Sequence, residues 1–300
     1  MAAMNDSYVE RLPSPPLAGV VRTVWVHTTG DQPSVHRHLP TGGVEIHARL
    51  GGIPRLIGPL TAHWVEALPP RVTIVGIRFL PASPPPLPMP LDELVEQRVP
   101  LDELWGPPVV RLAGEMAATG AADRAARMLE GFLCERFRAA GAGRAKDRII
   151  REAVAVLMPW RPAEVRDVAA HVALSPSQLR RRALHTVGLT PKTLQRTLRF
   201  QGFLALAQAG AVPSGRRDAD GISGLAADAG YTDQAHLNRE CLRLSGLTPR
   251  QLLHGDVDRC ACGHDHSASY RPFLSGRAAG SPQRSSHSHE IRSETGESHA

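Results

Sequence analysis

The sequence contains few aromatic residues, few cysteines and no long hydrophobic run. Phe, Trp and Tyr make up 4% of the 300 residues, so packing must depend mainly on Leu, Val and Ala. Four cysteines do not indicate a disulfide framework. No run of about twenty apolar residues is present, so we expect no membrane span. The first residues include no apolar run preceded by basic residues, so we expect no signal peptide and a cytoplasmic protein.

Lysine is also rare, and arginine carries almost all of the positive charge. The net charge is +6 at pH 7 and the pI is about 9.7. Residues 146–254 contain 16 Lys and Arg against 9 Asp and Glu, a net charge of +7, so the basic excess is concentrated there. Such a region favours a polyanion as the partner. A GC-rich genome would also raise the content of Arg, Ala, Gly and Pro, and composition alone leaves both explanations open.

One stretch of the sequence occurs twice. Residues 165–191 read VRDVAAHVALSPSQLRRRALHTVGLTP, and residues 222–249 read ISGLAADAGYTDQAHLNRECLRLSGLTP. Each copy has apolar residues at helical spacing, a tight turn, a second helix and a final Gly-Leu-Thr-Pro. Two helix-turn-helix units in tandem on a basic chain indicate a protein that binds two successive segments of DNA.

The second helix of each copy has the features of a DNA recognition helix. Ser175 is a good N-cap with Pro176 at the first helical position, and Thr232 or Asp233 can cap the equivalent helix. The polar residues left on the surface are of the types that bind base edges, since Arg pairs with guanine and Asn or Gln with adenine. A run of arginines on a helix is more commonly a solvated face, but the repeated polar pattern favours DNA contact.

Residues 146–253 resemble the DNA-binding domain of the AraC/XylS family of transcription regulators. The resemblance is carried by RDVAAHVALSPSQLRRR, by VGLTPKTLQRTLRFQGFLALAQ, and by GLAADAGYTDQAHLNRE with SGLTPRQLL. It implies two helix-turn-helix subdomains joined by one long helix, here residues 190–208. The positions of the family motif that face the groove match Ser177, Gln178, Arg180, Arg181, Gln234, Ala235, Asn238 and Arg239. Arg181 and Arg239 occur in both copies, so one or both could instead contact the phosphate backbone.

The resemblance also implies a function and a set of partners. We expect a sequence-specific transcription regulator that reads two successive major-groove segments of double-stranded promoter DNA. RNA polymerase, an unknown small-molecule effector and a second copy of the chain, in a homodimer, are candidate partners. No cofactor is implied.

The remaining sequence divides into a β-rich part, a linker and two loose ends. At 300 residues we expect two domains. Residues 20–27, 44–50 and 72–79 read as strands, and residues 91–97, 101–105 and 121–140 as helices. The predicted organisation is a loose N-terminus (1–18), a β-rich sensing or dimerising domain (19–140), a linker (141–145), the DNA-binding domain (146–254) and a disordered tail (255–300). The fold class is therefore α+β, a small β-rich domain followed by an all-α tandem helix-turn-helix domain.

The β-rich part also resembles the N-terminal domain of a subset of these regulators. LPTGGVEIHARLGG, RLIGPLT, VGIRFLP and VPLDELWG carry this second resemblance. It implies a small sensing or dimerising module and names no ligand.

Two groups of residues are of metal-ligand types, and the second, in the C-terminal tail, allows a metal-responsive regulator as the alternative function. His36, His38, Glu45 and His47 are metal-ligand types, but their spacing departs from the usual cupin pattern, and solvated or hydrogen-bonded histidines near a turn are the plainer interpretation. The tail contains Cys260, Cys262, His264 and His266, followed by His287, His289 and His299, which could bind zinc or copper. The C-x-C-x-H-x-H spacing is not a usual structural zinc site, so no metal ligand is assigned.

An enzymatic function has little support in the sequence. No nucleophile–base pair has a recognisable local signature. Alkylated-DNA repair methyltransferases can carry this DNA-binding module, but they need an N-terminal cysteine cluster and a Pro-Cys-His-Arg acceptor. Here the first cysteine is Cys134, and Pro-Cys-His-Arg is absent. Cys134 and Cys241 occupy apolar helical positions, where free cysteine acts as a small hydrophobe.

Overall fold

The chain forms a β-rich N-terminal part followed by a helical C-terminal part, which confirms the predicted α+β class. A computed structural model describes residues 5–141, 148–160, 163–214, 221–254 and 266–280. Most of the linker predicted at 141–145 therefore lies outside the described residues. No helix in the described ranges is long and apolar enough to cross a bilayer.

Eight strands form two antiparallel sheets in the N-terminal part. The larger sheet has the order β1-β2-β7-β4-β5-β8, and β3 pairs with β6 in the smaller one. The strands are β1 (Ser7–Arg11), β2 (Val21–Thr28), β3 (Ser34–His38), β4 (Glu45–Arg49), β5 (Arg55–Ile57), β6 (Trp64–Leu68), β7 (Thr73–Phe79) and β8 (Arg98–Pro100). The three predicted strands correspond to β2, β4 and β7, which lie next to one another at the centre of the larger sheet.

Helices cover one face of this larger sheet. Short 3₁₀ turns occur at Pro15–Leu17 and Leu91–Leu94, followed by α1 (Leu101–Trp105), α2 (Pro107–Ala118) and α3 (Ala122–Ala139). Leu129 and Leu133 of α3 are fully buried in one cluster with Ile46 and Ile77 of the sheet. Helix α3 therefore covers the apolar face, as its sequence periodicity predicts.

The helical part contains both copies of the repeat. Its helices are α4 (Arg148–Val156), α5 (Val165–His171), α6 (Pro176–Val187), α7 (Pro191–Ser214), α8 (Ile222–Asp228), α9 (Gln234–Ser245), α10 (Pro249–His254) and α11 (Ser267–Gly280). The long helix α7 extends six residues past the predicted end at residue 208. It supplies Leu194 and Leu198 to the core of the first copy, and Phe200 and Phe203 to that of the second.

The structure corrects the prediction of a disordered tail over residues 267–280. These residues form α11, which packs on α7, β1 and β2. Phe273 is 2% exposed, and its carbonyl oxygen accepts a hydrogen bond from Trp160 Nε1. Tyr270, Phe273 and Leu274 recur at helical spacing, which is the signal that the sequence prediction passed over. Residues 255–265 and 281–300 of the predicted tail lie outside the described residues.

The structure also corrects the prediction of a loose N-terminus over residues 7–11. Strand β1 pairs along its whole length with β2. Glu130 of α3 holds the end of this strand, because its carboxylate pairs with Arg11 and accepts a hydrogen bond from Ser14 N at 2.7 Å. These partners are far away in sequence, so no local pattern indicates the strand.

Candidate DNA-binding surface and interdomain cavity

Helix α6 is capped at both ends, and its N-cap is the one predicted from the sequence. Gln178 N donates to Ser175 Oγ at 3.2 Å, and Ser175 N donates to Gln178 Oε1 at 2.9 Å, which forms a capping box. Gly188 ends the helix in the left-handed conformation. Leu179, Ala183 and Val187 are buried, so the helix has one apolar face and one face turned to solvent.

Helix α9 repeats this arrangement in the second copy. His236 N donates to Asp233 Oδ1 at 2.6 Å, so Asp233 is the N-cap of the two candidates. Gly246 ends the helix in the left-handed conformation. Arg196 of α7 donates to Glu240 at 2.8 Å and fastens α9 to the long helix.

The candidate DNA-contacting residues lie on the outer faces of these two helices. Seven of the eight are exposed, and the eighth, Asn238, is half-buried. Gln178 and Gln234 each use their amide oxygen within the protein, in the capping box and in a bond from Ser223 Oγ at 3.0 Å. Their amide nitrogens are the atoms that remain to donate to a base.

A cavity of about 150 Å³ lies where the β-rich part meets the helical part. Trp25, His36 and Glu45 line it from the sheets, and Gln201 and Tyr270 line it from α7 and α11. Any molecule in this cavity would touch both parts of the chain at once.

Arg22 of β2 is the most unusual residue of the cavity wall. It is 2% exposed, and burial lowers its pKa to about 10. Its Nη2 donates to Gln201 Oε1 at 2.9 Å and its Nε donates to the carbonyl of Ser269, while Nη1 has no hydrogen-bond partner among the described residues. The guanidinium lies over the rings of Tyr270 and Phe273, 5.5 and 4.8 Å from their centroids. Within the described part of the chain, no carboxylate forms an ion pair with Arg22.

By contrast, the positive charge of Arg78, on the neighbouring strand β7, is balanced by two carboxylates. It pairs with Glu45 at 2.8 Å and with Glu10 at 3.2 Å. Burial would raise the pKa of the Glu45 carboxyl, but Arg78 and a hydrogen bond with His47 hold it well below its usual range. The two arginines thus differ in kind, since Arg78 has two carboxylate partners and Arg22 has none among the residues that the structure describes.

The histidines that sequence analysis considered as metal ligands do come together in the cavity. The ring centroids of His36 and His38 are 4.3 Å apart, and those of His38 and His47 are 5.0 Å apart. His47 Nε2 lies 3.1 Å from Glu45 Oε2. Among the described residues, however, no three His, Cys, Asp or Glu side chains are placed to hold a metal ion. The interpretation of these residues as histidines near a turn is wrong in one respect. They lie on strands β3 and β4 and line a cavity.

His36 and His38 are uncharged at neutral pH. Burial, and then the neighbouring histidines, lower the pKa of both imidazoles well below the usual value. His38 Nε2 lies 3.4 Å from Glu66, but without hydrogen-bond geometry, so a neutral ring is the consistent state. His38 instead stacks on Trp64, with centroids 3.9 Å apart and rings 8° from parallel.

Comparison with known families matches the two parts of the chain separately. Residues 168–255 match a model described as a helix-turn-helix domain. The chain carries a helix-turn-helix domain of the AraC type. It is therefore a DNA-binding transcription regulator. Residues 9–100 match a model described as a domain of unknown function.

Solved structures similar to this chain include several of ToxT from Vibrio cholerae. The structure from strain O395 is 11% identical, covers 74% of this chain and 96% of ToxT, and has a TM-score of 0.42. A 1.65 Å structure is 9% identical, covers 84% and 98%, and has a TM-score of 0.40. A structure of unsaturated fatty acid-bound wild-type ToxT from strain SCE256 is 10% identical, covers 85% and 97%, and also has a TM-score of 0.40. No curated protein matches the chain.

The cavity beside the helix-turn-helix domain contains residues that sequence analysis missed. Arg22 sits in a predicted strand with nothing local to distinguish it. The alternation His36-x-His38 was a usable signal, because alternate residues of a strand point to the same face. Of the tail ligands considered, only His266 lies in the described residues, where its Nδ1 is 3.1 Å from Glu10.

Proposed function

We propose that this regulator is sequence-specific and reads two successive major-groove segments, one with α6 and one with α9. The observation that carries the proposal is the repeated, doubly capped, twelve-residue helix with a polar outer face. Ser177, Gln178, Arg180 and Arg181 would contact one segment, and Gln234, Ala235, Asn238 and Arg239 the other. Exposed arginines suit guanine or phosphate, and the amides suit adenine.

The connecting helix has a length that suits this mode of binding. Helix α7 has 24 residues, so it is about 36 Å long at 1.5 Å per residue. Successive major-groove faces on one side of B-DNA are about 34 Å apart. Since α7 contributes to the core of both units, it can hold the two helix-turn-helix units at a fixed separation along its axis. The proposal places the chain in the cytoplasm on promoter DNA, and RNA polymerase and a second copy stay predicted partners.

Base-specific contact can be tested by one substitution in each recognition helix. Arg180→Ala should cost about 1–3 kcal/mol and relax base preference in one element only, and Asn238→Ala should do so in the other element. Binding is measured on operator variants with substitutions in each element. Arg111→Ala, an exposed arginine of α2, is the control.

The two possible kinds of contact give different results in this assay. A phosphate contact would weaken all sequences alike and reduce the salt dependence by about one ion. If both variants lose base preference at the same element, or neither loses any, the proposal that α6 and α9 read separate elements is wrong.

The effector that we propose is a small organic anion bound in the interdomain cavity beside Arg22. A buried guanidinium without a carboxylate partner is costly, and an anion would supply its missing partner. A cavity of about 150 Å³ is large enough for a molecule about the size of benzene. The aromatic walls and the volume therefore favour a compact anion with a flat apolar body.

Thermal unfolding in the presence of benzoate and of its neutral counterpart benzamide tests the effector site. A ligand present at about 100 times its Kd should stabilise the folded chain by about 2.7 kcal/mol. We expect small carboxylates to raise the midpoint of the wild type and not that of Arg22→Met. Arg71→Met, at an exposed arginine of the same domain, should respond as the wild type does. Equal shifts with benzamide, or in Arg22→Met, would contradict the anion site.

A further inference from the structure

One loop of the β-rich domain touches the ends of both recognition helices. Residues 58–63, between β5 and β6, are called the bridging loop. Pro59 lies against Gly188 at the end of α6, and His63 lies against Gly246 at the end of α9. A Cβ atom on Gly188 would be 2.7 Å from Pro59 Cγ, and one on Gly246 would be 2.4 Å from His63 Cε1. Neither contact leaves room for a side chain.

The two contact points are equivalent positions of the repeat. Gly188 and Gly246 are both the left-handed C-cap, with φ of +78° and +71°. Pro59 and His63 are four residues apart, so at most about 14 Å of backbone separates them. A single short segment therefore holds the same point in each helix-turn-helix unit.

The bridging loop is itself fastened to the β-rich domain. Gly58 N donates to the carbonyl of Gln97 at 2.9 Å, and Glu96 N donates to that of Pro59 at 3.1 Å. The carboxylate of Glu96 accepts hydrogen bonds from Thr61 N at 2.6 Å and Thr61 Oγ1 at 2.7 Å. These bonds make the loop a rigid part of the domain.

A further hydrogen bond strengthens the α9 end of this connection. Arg37 Nη1 donates to the carbonyl oxygen of Ser245, the last residue of α9, at 2.9 Å. A cation suits this position, because the last carbonyls of a helix lack intrahelical partners and carry partial negative charge. At α6, the carbonyl oxygen of Leu91 lies 2.8 Å from the position of a Cβ on Gly188.

We infer that the bridging loop, together with Arg37, sets the relative orientation of α6 and α9 and so the spacing between the DNA elements that the chain accepts. Helix α7 joins the units through side-chain packing in both cores and through the Arg196–Glu240 pair, and these contacts leave the C-cap of each recognition helix free to tilt about its turn. A second rigid contact at each C-cap removes that freedom. Pro59, His63 and Arg37 are then positioning residues for DNA reading, although none lies on the DNA-binding faces. The inference rests on the proposed two-segment function.

Operators with altered spacing test this inference. An operator is first selected from random duplexes with the full chain, and base pairs are then inserted or deleted between its two elements. Wild type should lose about tenfold in affinity per base pair, the cost of about one mismatched position. The double variant Arg37→Met, His63→Ala should lose only about twofold, while its affinity for each single element stays within about twofold of wild type. Arg71→Met is the matched control and should keep the wild-type profile.

The opposite end of the loop provides an independent variant. Pro59→Ala removes the ring contact at Gly188 and should broaden the spacing profile in the same way. An unchanged profile in both variants would overturn the inference and leave the proposed function standing. Loss of single-element affinity would also overturn it, since the contacts would then support the fold of a unit and not its orientation. A wild-type chain that selects no two-element operator would instead refute the proposed function, and this inference with it.

Discussion

Replacing Phe273 with alanine should destabilise the helical domain, because this side chain docks α11 against the long helix. Phe273 is 2% exposed and belongs to the core of the first helix-turn-helix unit. Truncating a buried Phe to Ala costs about 3–5 kcal/mol, and the lost contact with the Arg22 guanidinium adds about 1 kcal/mol. The hydrogen bond from Trp160 uses the backbone carbonyl of residue 273 and survives the substitution. A domain is stable by only about 5–15 kcal/mol, so the effect is large.

Differential scanning calorimetry can measure this loss, with a neighbouring residue as control. The midpoint of Phe273→Ala should fall by about 10 °C. Arg271→Ala changes an exposed residue of the same helix and should shift the free energy of unfolding by less than about 0.5 kcal/mol. Deletion of residues 255–300 should destabilise the chain at least as much as Phe273→Ala. If Phe273→Ala and the deletion both behave like Arg271→Ala, α11 is not docked and the sequence prediction of a disordered tail is right.

Two further predictions concern titration and helix capping. The pKa values of His36 and His38 are low in the folded chain and near 6.5 when unfolded. The neutral rings therefore contribute fully to the free energy of unfolding above pH 6.5. Below that pH the free energy of unfolding falls by up to about 1.4 kcal/mol per pH unit for each histidine. Changing both to Gln should flatten the urea unfolding free energy between pH 7 and 5, and an unchanged slope would contradict burial of neutral rings. Ser175→Ala and Asp233→Ala should each lower the free energy of unfolding by about 1 kcal/mol through loss of the N-cap, and no measurable loss in urea titrations would argue against these caps.

The predictable parts of the molecule were those whose signals are local. The caps Ser175 and Gly188 and the apolar spacing of each repeat lie within a few residues of the helices that they specify. The central strands were predictable for the same reason, since each shows β-branched residues and partial alternation within its own segment. Strands β3 and β6 were harder to predict, because Val35 and Val65 are exposed while His36 and His38 face the cavity, which is the reverse of the usual alternation.

Sequence alone determined the class of protein and the position of the two helices that we propose to read DNA, because repeat, cap and stop residues are encoded locally. Only the tertiary structure decided the rest. Arg22 meets Ser269 across 247 residues of chain, and Arg37 meets Ser245 across 208. No short sequence pattern indicates such contacts, because neither partner stands out from the residues around it. The contacts form only when the two parts of the chain pack together. The cavity, the docked helix α11 and the bridging loop that contacts the ends of α6 and α9 all depend on contacts of this kind.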